Sequence, residues 1–258
     1  MSPLRRRRLR AWLAALAVTA LTDPARAARF CPPGTHEREA ELRGARRAWC
    51  ETPDGVARGP FALWHPNGTL ARAGWREGSL VLGTLTSWYP NGHLESMVQA
   101  TPEGYRPPLR HWRRDGSLVT TVDPLADGRF LALDWYRNGR LERWEVYGSD
   151  GSGYRIQWYE NGQRRHEGAE SAGAPEGPQQ DWWSNGEPRA VWVAQRGLAE
   201  GPHRTWHENG RPRAEGEMHL GRPVGHWRFW RSDGSLAGEL DGRAPPEVRE
   251  AMLLDLAR

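Results

Sequence analysis

The sequence contains no lysine, so all 36 of its basic residues are arginine. That excludes a phosphate-binding loop built on lysine, a Schiff base and a lysine general base. Long apolar runs are missing too: the longest covers residues 11–22, too short to cross a bilayer as a helix. With 2 cysteines the chain cannot be a disulfide-dense scaffold or carry a four-cysteine metal site. No Gly-x-Ser-x-Gly elbow occurs, and no serine has a recognisable histidine and acid arrangement. Tryptophan and glycine are plentiful, at 15 and 30 residues.

The tryptophans are periodic. The pattern Trp, any, any, Asn or Asp, Gly begins at Trp64, Trp88, Trp112, Trp135, Trp158, Trp182, Trp206 and Trp230, with spacings of 23 or 24 residues. So regular a period marks a repeat architecture in which each unit is one supersecondary motif stacked on its neighbours.

Asn or Asp followed by Gly is a hairpin signal. Pro66 and Pro90 stand just before the Asn in two repeats. Proline suits the second position of a type I turn, with Gly left-handed in a bulge, so a three-residue loop is favoured over a two-residue type I′ turn. That loop sets the register. Trp64 then faces Leu70, Trp88 faces Leu94, Trp112 faces Leu118, Trp135 faces Leu141 and Trp230 faces Leu236, each pair contributing roughly 0.2–1 kcal/mol. Arg164, Pro188 and Pro212 replace the leucine in the other repeats, which predicts weaker cores there. Thr69, His93, Ser117, Arg140, Gln163, Glu187, Arg211 and Ser235, one after each loop, are all polar. One face is therefore expected to be an apolar seam and the other solvated.

Residues 1–27 read as a secretory signal: an arginine-rich start, the apolar stretch and the cleavage motif Ala25-Arg26-Ala27. A twin-arginine leader would need paired hydrophobics after the arginines, which are missing. Exporting the chain removes Arg5, Arg6, Arg7, Arg8, Arg10, Arg26 and Asp23, leaving 30 arginines against 31 acids, a net charge of −1. The basic pI thus belongs to the leader, and nucleic-acid binding has no electrostatic basis. The predicted location is periplasmic or extracellular, with no transmembrane anchor. Cys31 and Cys50 are expected to form a disulfide there, closing a loop worth roughly 3 kcal/mol in the chain-entropy model. Lipidation of Cys31 is the competing reading; Ala28-Arg29-Phe30 lacks the leucine and small residue it needs.

Residues 28–58 read as an N-terminal cap, in which Trp49-Cys50-Glu51-Thr52-Pro53-Asp54-Gly55 resembles a degenerate hairpin turn. Residues 59–241 hold the eight repeats. Glycine stands five before the tryptophan at Gly59, Gly83, Gly153, Gly177, Gly201 and Gly225, where a strand is expected to begin after a bend. Pro107 and Phe130 break the rule, and Pro102, Pro107, Pro108 and Pro124 predict longer loops over 101–134. Residues 242–258 read as a helical cap, with Val248, Met252, Leu253 and Leu256 at helical spacing. The fold class is all-β: an elongated array of about eight β-hairpins forming an extended twisted antiparallel sheet, with a disulfide cap and a short C-terminal helix.

The eight turns, their period and the preceding glycines resemble the MORN repeat, in the bacterial variant of the YwqK-type antitoxin family. The resemblance covers residues 59–241. It implies a β-hairpin array that binds another protein or a membrane surface without catalysis. The leader and the disulfide cap depart from a cytoplasmic antitoxin.

Few residues suggest chemistry. His203 and His207 are four apart, but on a strand that puts them about 13 Å apart on one face, and no third ligand completes a metal site. They read as solvated strand histidines. The segment Gly148-Ser149-Asp150-Gly151-Ser152-Gly153 lacks the helix and lysine of a phosphate cradle and reads as a flexible connection. Glu167 and Glu170 read as charges on a wet edge. No enzyme activity, cofactor or metal is expected.

The functional candidate is the row directly after each repeat tryptophan: His65, Tyr89, Arg113, Tyr136, Tyr159, Trp183, His207 and Arg231. On the predicted register these align across successive hairpins about 10 Å apart. Exposed tyrosine, tryptophan and arginine have the composition of binding hot spots. The favoured function is an exported, non-enzymatic scaffold whose row binds a protein partner, such as a toxin it neutralises. The alternatives are an envelope glycan or lipid-headgroup binder and a structural envelope protein.

Overall fold

The structure is a computed structural model and describes residues 31–240. Among the described residues there are eighteen strands and no helix. The chain divides into two compact units after Asp123. The first contains β1 (His36–Leu42), β2 (Ala45–Glu51), β3 (Ala57–Trp64), β4 (Leu70–Glu77), β5 (Leu80–Trp88), β6 (Leu94–Thr101), β7 (Gly104–Trp112) and β8 (Leu118–Pro124). The second contains β9 (Phe130–Trp135), β10 (Leu141–Tyr147), β11 (Gly153–Trp158), β12 (Arg164–Ser171), β13 (Ala174–Trp182), β14 (Pro188–Gln195), β15 (Leu198–Trp206), β16 (Pro212–His219), β17 (Arg222–Trp230) and β18 (Leu236–Leu240). Within each unit every strand pairs antiparallel with the next in sequence.

The hairpin turn is the one the sequence predicts. The N–H of Gly92 donates to the carbonyl of Tyr89 and the N–H of Tyr89 to the carbonyl of His93, both at 2.9 Å. Gly92 has φ +86°, a conformation open to glycine at no steric cost. This is a type I turn closed by a glycine bulge. It recurs after all eight repeat tryptophans. The register follows: Trp88 lies opposite Leu94, and the same offset holds at Trp158 and Arg164, Trp182 and Pro188, and Trp206 and Pro212.

At Gly83 the glycine five residues before the tryptophan does something else. Strand β5 already runs from Leu80, and Gly83 (φ +75°) sits inside it. Pairing jumps from Trp75 opposite Leu82 to Ala73 opposite Thr86, so Gly83, Thr84 and Leu85 together oppose Gly74. Gly83 therefore marks a bulge within a strand rather than its beginning, whereas Gly153 does begin β11 as expected. In β7 the same irregularity falls at Pro107-Pro108, joined by a cis peptide bond. Of the prolines that predict long loops over 101–134, Pro107 and Pro108 instead sit at this bulge, where a missing N–H leaves the ladder intact, Pro102 lies in the short turn between β6 and β7, and Pro124 ends β8.

The expected apolar seam is only partly formed. Trp64 is buried, but the other seven repeat tryptophans are half-buried. Compact apolar clusters form at two places: Ala48, Ala62 and Trp64 with Leu70 in the first unit, and Ala214, Trp227, Phe229 and Leu240 with Met218 in the second. The physical reason is local: each repeat tryptophan lies beside its own turn, opposite the first residue of the next strand, where that hairpin covers only part of the ring.

The N-terminal hairpin of β1 and β2 carries the Cys31–Cys50 disulfide, with Cα atoms 5.5 Å apart. The degenerate turn is real: the N–H of Gly55 donates to Thr52 and the N–H of Thr52 to Val56, with Glu51 in the tryptophan position opposite Ala57. The leader and the C-terminal helix of the sequence reading lie outside the described residues.

Candidate protein-binding surface

The residues after the repeat tryptophans take the same place in each hairpin, and most join one hairpin to the next within their unit. A ring nitrogen of His65 meets the Trp88 carbonyl at 2.8 Å. The hydroxyl of Tyr89 donates to the Trp112 carbonyl at 2.9 Å. Tyr136 and Tyr159 donate to Trp158 and Trp182 at 2.7 and 2.8 Å. The Trp183 indole N–H donates to Trp206 at 3.0 Å, and His207 meets Trp230 at 2.8 Å. All six are half-buried. Their polar ends thus satisfy backbone carbonyls of the neighbouring hairpin and leave ring faces and edges toward water.

Arg113 and Arg231 also bond within their own hairpins, Arg113 donating to the Leu118 carbonyl at 2.9 Å and Arg231 to Leu236 at 3.2 Å. Both belong to hairpins whose turn residue is Asp instead of Asn, Asp115 and Asp233.

That turn residue forms a second set of ties. Asn91 accepts from the N–H of His93 through Oδ1 at 3.2 Å and donates through Nδ2 to the Arg114 carbonyl at 2.6 Å. Asn67, Asn138, Asn161, Asn185 and Asn209 make the same forward donation to Pro90, Glu160, Ser184, Glu208 and Ser232. An aspartate retains the acceptor role, as Asp115 and Asp233 do toward Ser117 and Ser235. It has no donor for the forward one. Asn and Asp are equivalent as turn formers in the sequence pattern, so this difference does not show there.

In the second unit, one sheet face carries interlocked charges. Arg143 donates to Asp134 at 2.7 Å and to Glu145 at 2.8 Å, and Arg155 to Glu170 at 2.8 Å. A ring nitrogen of His166 meets Asp181 at 2.9 Å. Burial pushes the Asp181 carboxyl up, but the His166 hydrogen bond, the charges of His166 and Arg189 and the Trp192 indole outweigh it, so its pKa lies below the usual value. His203 is half-buried against Trp227, ring centroids 6.0 Å apart. Burial holds its pKa below the ordinary 6.5. His203 and His207 are thus not a solvated pair: one is packed on an indole, the other joins two hairpins. Among the described residues no group of three His, Cys, Asp or Glu side chains is placed to hold a metal ion.

Glu170 is tied to Arg155, while Tyr154 and Arg164 both donate to Glu167. The segment from Gly148 to Ser152 is an ordered turn of the repeat type, closed by Gly148 donating to Ser152 at 2.7 Å. It is not the flexible connection its composition suggests.

A comparison with curated proteins finds no match. Residues 82–99, which span most of β5, its turn and most of β6, match the family model of the MORN repeat variant. The turn and the tryptophan register of that segment recur in the other seven hairpins, so the chain carries a MORN repeat within an array of hairpins built to the same plan.

Proposed function

We propose that the chain is a non-catalytic, exported repeat scaffold that binds a protein partner outside the cytoplasm, in the manner of an antitoxin or immunity protein. The observation that carries this reading is the row His65, Tyr89, Arg113, Tyr136, Tyr159, Trp183, His207 and Arg231. It sets aromatic and arginine side chains at one position of successive hairpins, and hydrogen bonds to backbone fix most of them in place. Anchored side chains lose little rotamer freedom on binding, which favours affinity. Because the donors are already engaged, contact with the partner is through ring faces and edges. A MORN repeat suits a scaffold of this kind, and a disulfide is at home in an oxidising compartment.

The test is affinity capture from an envelope extract with three chains: the parent, one with Tyr136, Tyr159 and Trp183 changed to serine, and one with the same three changed to phenylalanine. Retention of one protein by the parent and the phenylalanine chain, but not the serine chain, is expected. Equal retention by all three removes the row from the site. Cosedimentation with purified envelope polymers or vesicles, with no protein captured, replaces the protein partner by an envelope ligand.

A further inference from the structure

The first unit holds a groove of about 210 Å³ on the face formed by β2, β3 and β4. Register places its residues. Arg47 lies opposite Leu63 and Leu63 opposite Arg72, so the two arginines flank a leucine across three strands. The next row is Trp49, Phe61 and Gly74. Arg76 follows Arg72 by four residues on the same face of β4. Phe61 and Leu85 pack over the backbone of Gly74, where a Cβ would come within 3.1 Å of the first and 3.2 Å of the second. The lining is thus part apolar, from Trp49, Phe61, Leu63 and Leu85, and part basic, from Arg47, Arg72 and Arg76, the last donating through Nε to the Gly78 carbonyl at 3.3 Å.

These arginines lack the partners that others in the unit have. Arg38, Arg46, Arg58, Arg106 and Arg110 each meet a carboxylate within 4 Å. Arg47, Arg72 and Arg76 meet none among the described residues. Arg47 lies over the Trp49 ring at 5.4 Å and Arg76 over Phe61 at 6.0 Å. The Trp49 ring is itself oriented, its indole N–H donating to Glu51 at 3.0 Å. In the second unit, by contrast, Arg143 and Arg155 on the sheet face are paired with carboxylates.

We propose that this groove binds a small organic anion. Its oxyanion group sits between Arg47, Arg72 and Arg76, and its aromatic or aliphatic body lies on Trp49, Phe61 and Leu85. Guanidinium groups not already engaged by carboxylates suit carboxylate and phosphate oxygens alike, and the apolar floor selects an anion with a hydrophobic body over a bare one. This site is separate from the row of the proposed function, and neither depends on the other.

The experiment is calorimetric or ligand-observed NMR titration of the full chain with four probes: phenylacetate, phenyl phosphate, inorganic phosphate and benzyl alcohol. One or both phenyl anions should bind with Kd of about 1 mM or tighter, a reasonable affinity for ligands of about ten heavy atoms. Inorganic phosphate and benzyl alcohol should bind at least tenfold more weakly. Which phenyl anion binds better distinguishes a carboxylate ligand from a phosphate ester. Arg47→Ala combined with Arg72→Ala should weaken binding at least tenfold. Arg58→Ala, on the other face of β3, should leave it unchanged. Both sets remove exposed side chains, and circular dichroism checks that the fold persists. Failure of both phenyl anions to bind, equal binding of inorganic phosphate, or undiminished binding by the Arg47 and Arg72 variant overturns the proposal.

Discussion

Asn161 donates through Nδ2 to the backbone carbonyl of Ser184 at 2.6 Å, joining two turns that are 23 residues apart in sequence. Its Oδ1 meanwhile accepts from the N–H of Gln163 at 2.9 Å, inside its own turn. One side chain therefore shapes a hairpin and fastens it to the next.

Replacing Asn161 by Asp keeps the acceptor and removes the donor, setting a carboxylate against a carbonyl oxygen. The expected loss is about 0.5–1.5 kcal/mol, the net worth of an exposed hydrogen bond. Asp233→Asn should change stability little, because no turn follows it among the described residues. Urea midpoints at constant slope check both. Equal effects would show that the forward donation contributes nothing.

Tyr159→Phe removes the hydroxyl that donates to the Trp182 carbonyl at 2.8 Å and keeps the ring. Stability should fall by about 1 kcal/mol, since a half-buried carbonyl loses its partner. Binding of the captured protein should persist. A variant that loses binding at unchanged stability would assign the hydroxyl to the partner.

His203 gives the second unit a pH dependence. Burial holds its pKa below the ordinary 6.5, against a smaller upward pull from Asp181. A group whose pKa is depressed by folding adds stability above its unfolded value and loses it as pH falls toward the folded one. Stability should therefore decline as pH drops from about 7 to about 5, and His203→Gln should flatten that decline. Thermal melts across this range check it; an unchanged slope would assign the effect to other groups.

Trp158→Ala should destabilise more than Trp230→Ala. In the second unit Trp158 belongs to a hairpin with others on both sides, whereas the Trp230 hairpin is the last described. Coupling to two neighbours predicts the larger loss. Equal losses in denaturant would mean that each hairpin stands alone.

The repeat period, the turn geometry and the register opposite Trp88 were legible because they depend on residues within a few positions of each other. Pro90, Asn91 and Gly92 fix the loop, and the loop fixes the partner. The contacts between hairpins were not legible. Their acceptors are backbone carbonyls such as those of Trp112 and Arg114, which carry no side-chain signature, so Tyr89 and Asn91 read as a surface residue and a turn former. The bulge at Gly83 was missed for a related reason: glycine marks unusual backbone, but whether it begins a strand or interrupts one depends on the pairing of the preceding strand. Arg47, Arg72 and Arg76 lie up to 29 positions apart, and only the register gathers them around one groove.

The two aspartate hairpins have a consequence for how such a chain can grow. Trp112-Arg113-Arg114-Asp115-Gly116-Ser117-Leu118 and Trp230-Arg231-Ser232-Asp233-Gly234-Ser235-Leu236 differ at one position; the first is the last repeat turn of its unit and the second the last described in its own. The asparagine hairpins share one amide tie and so are interchangeable segments. Duplicating one of them adds a hairpin that brings its own forward bond with it. Duplicating an aspartate hairpin instead adds a turn whose carboxylate cannot repeat that donation. Gene duplication can thus add hairpins without any new joining device, provided the copied turn carries the amide.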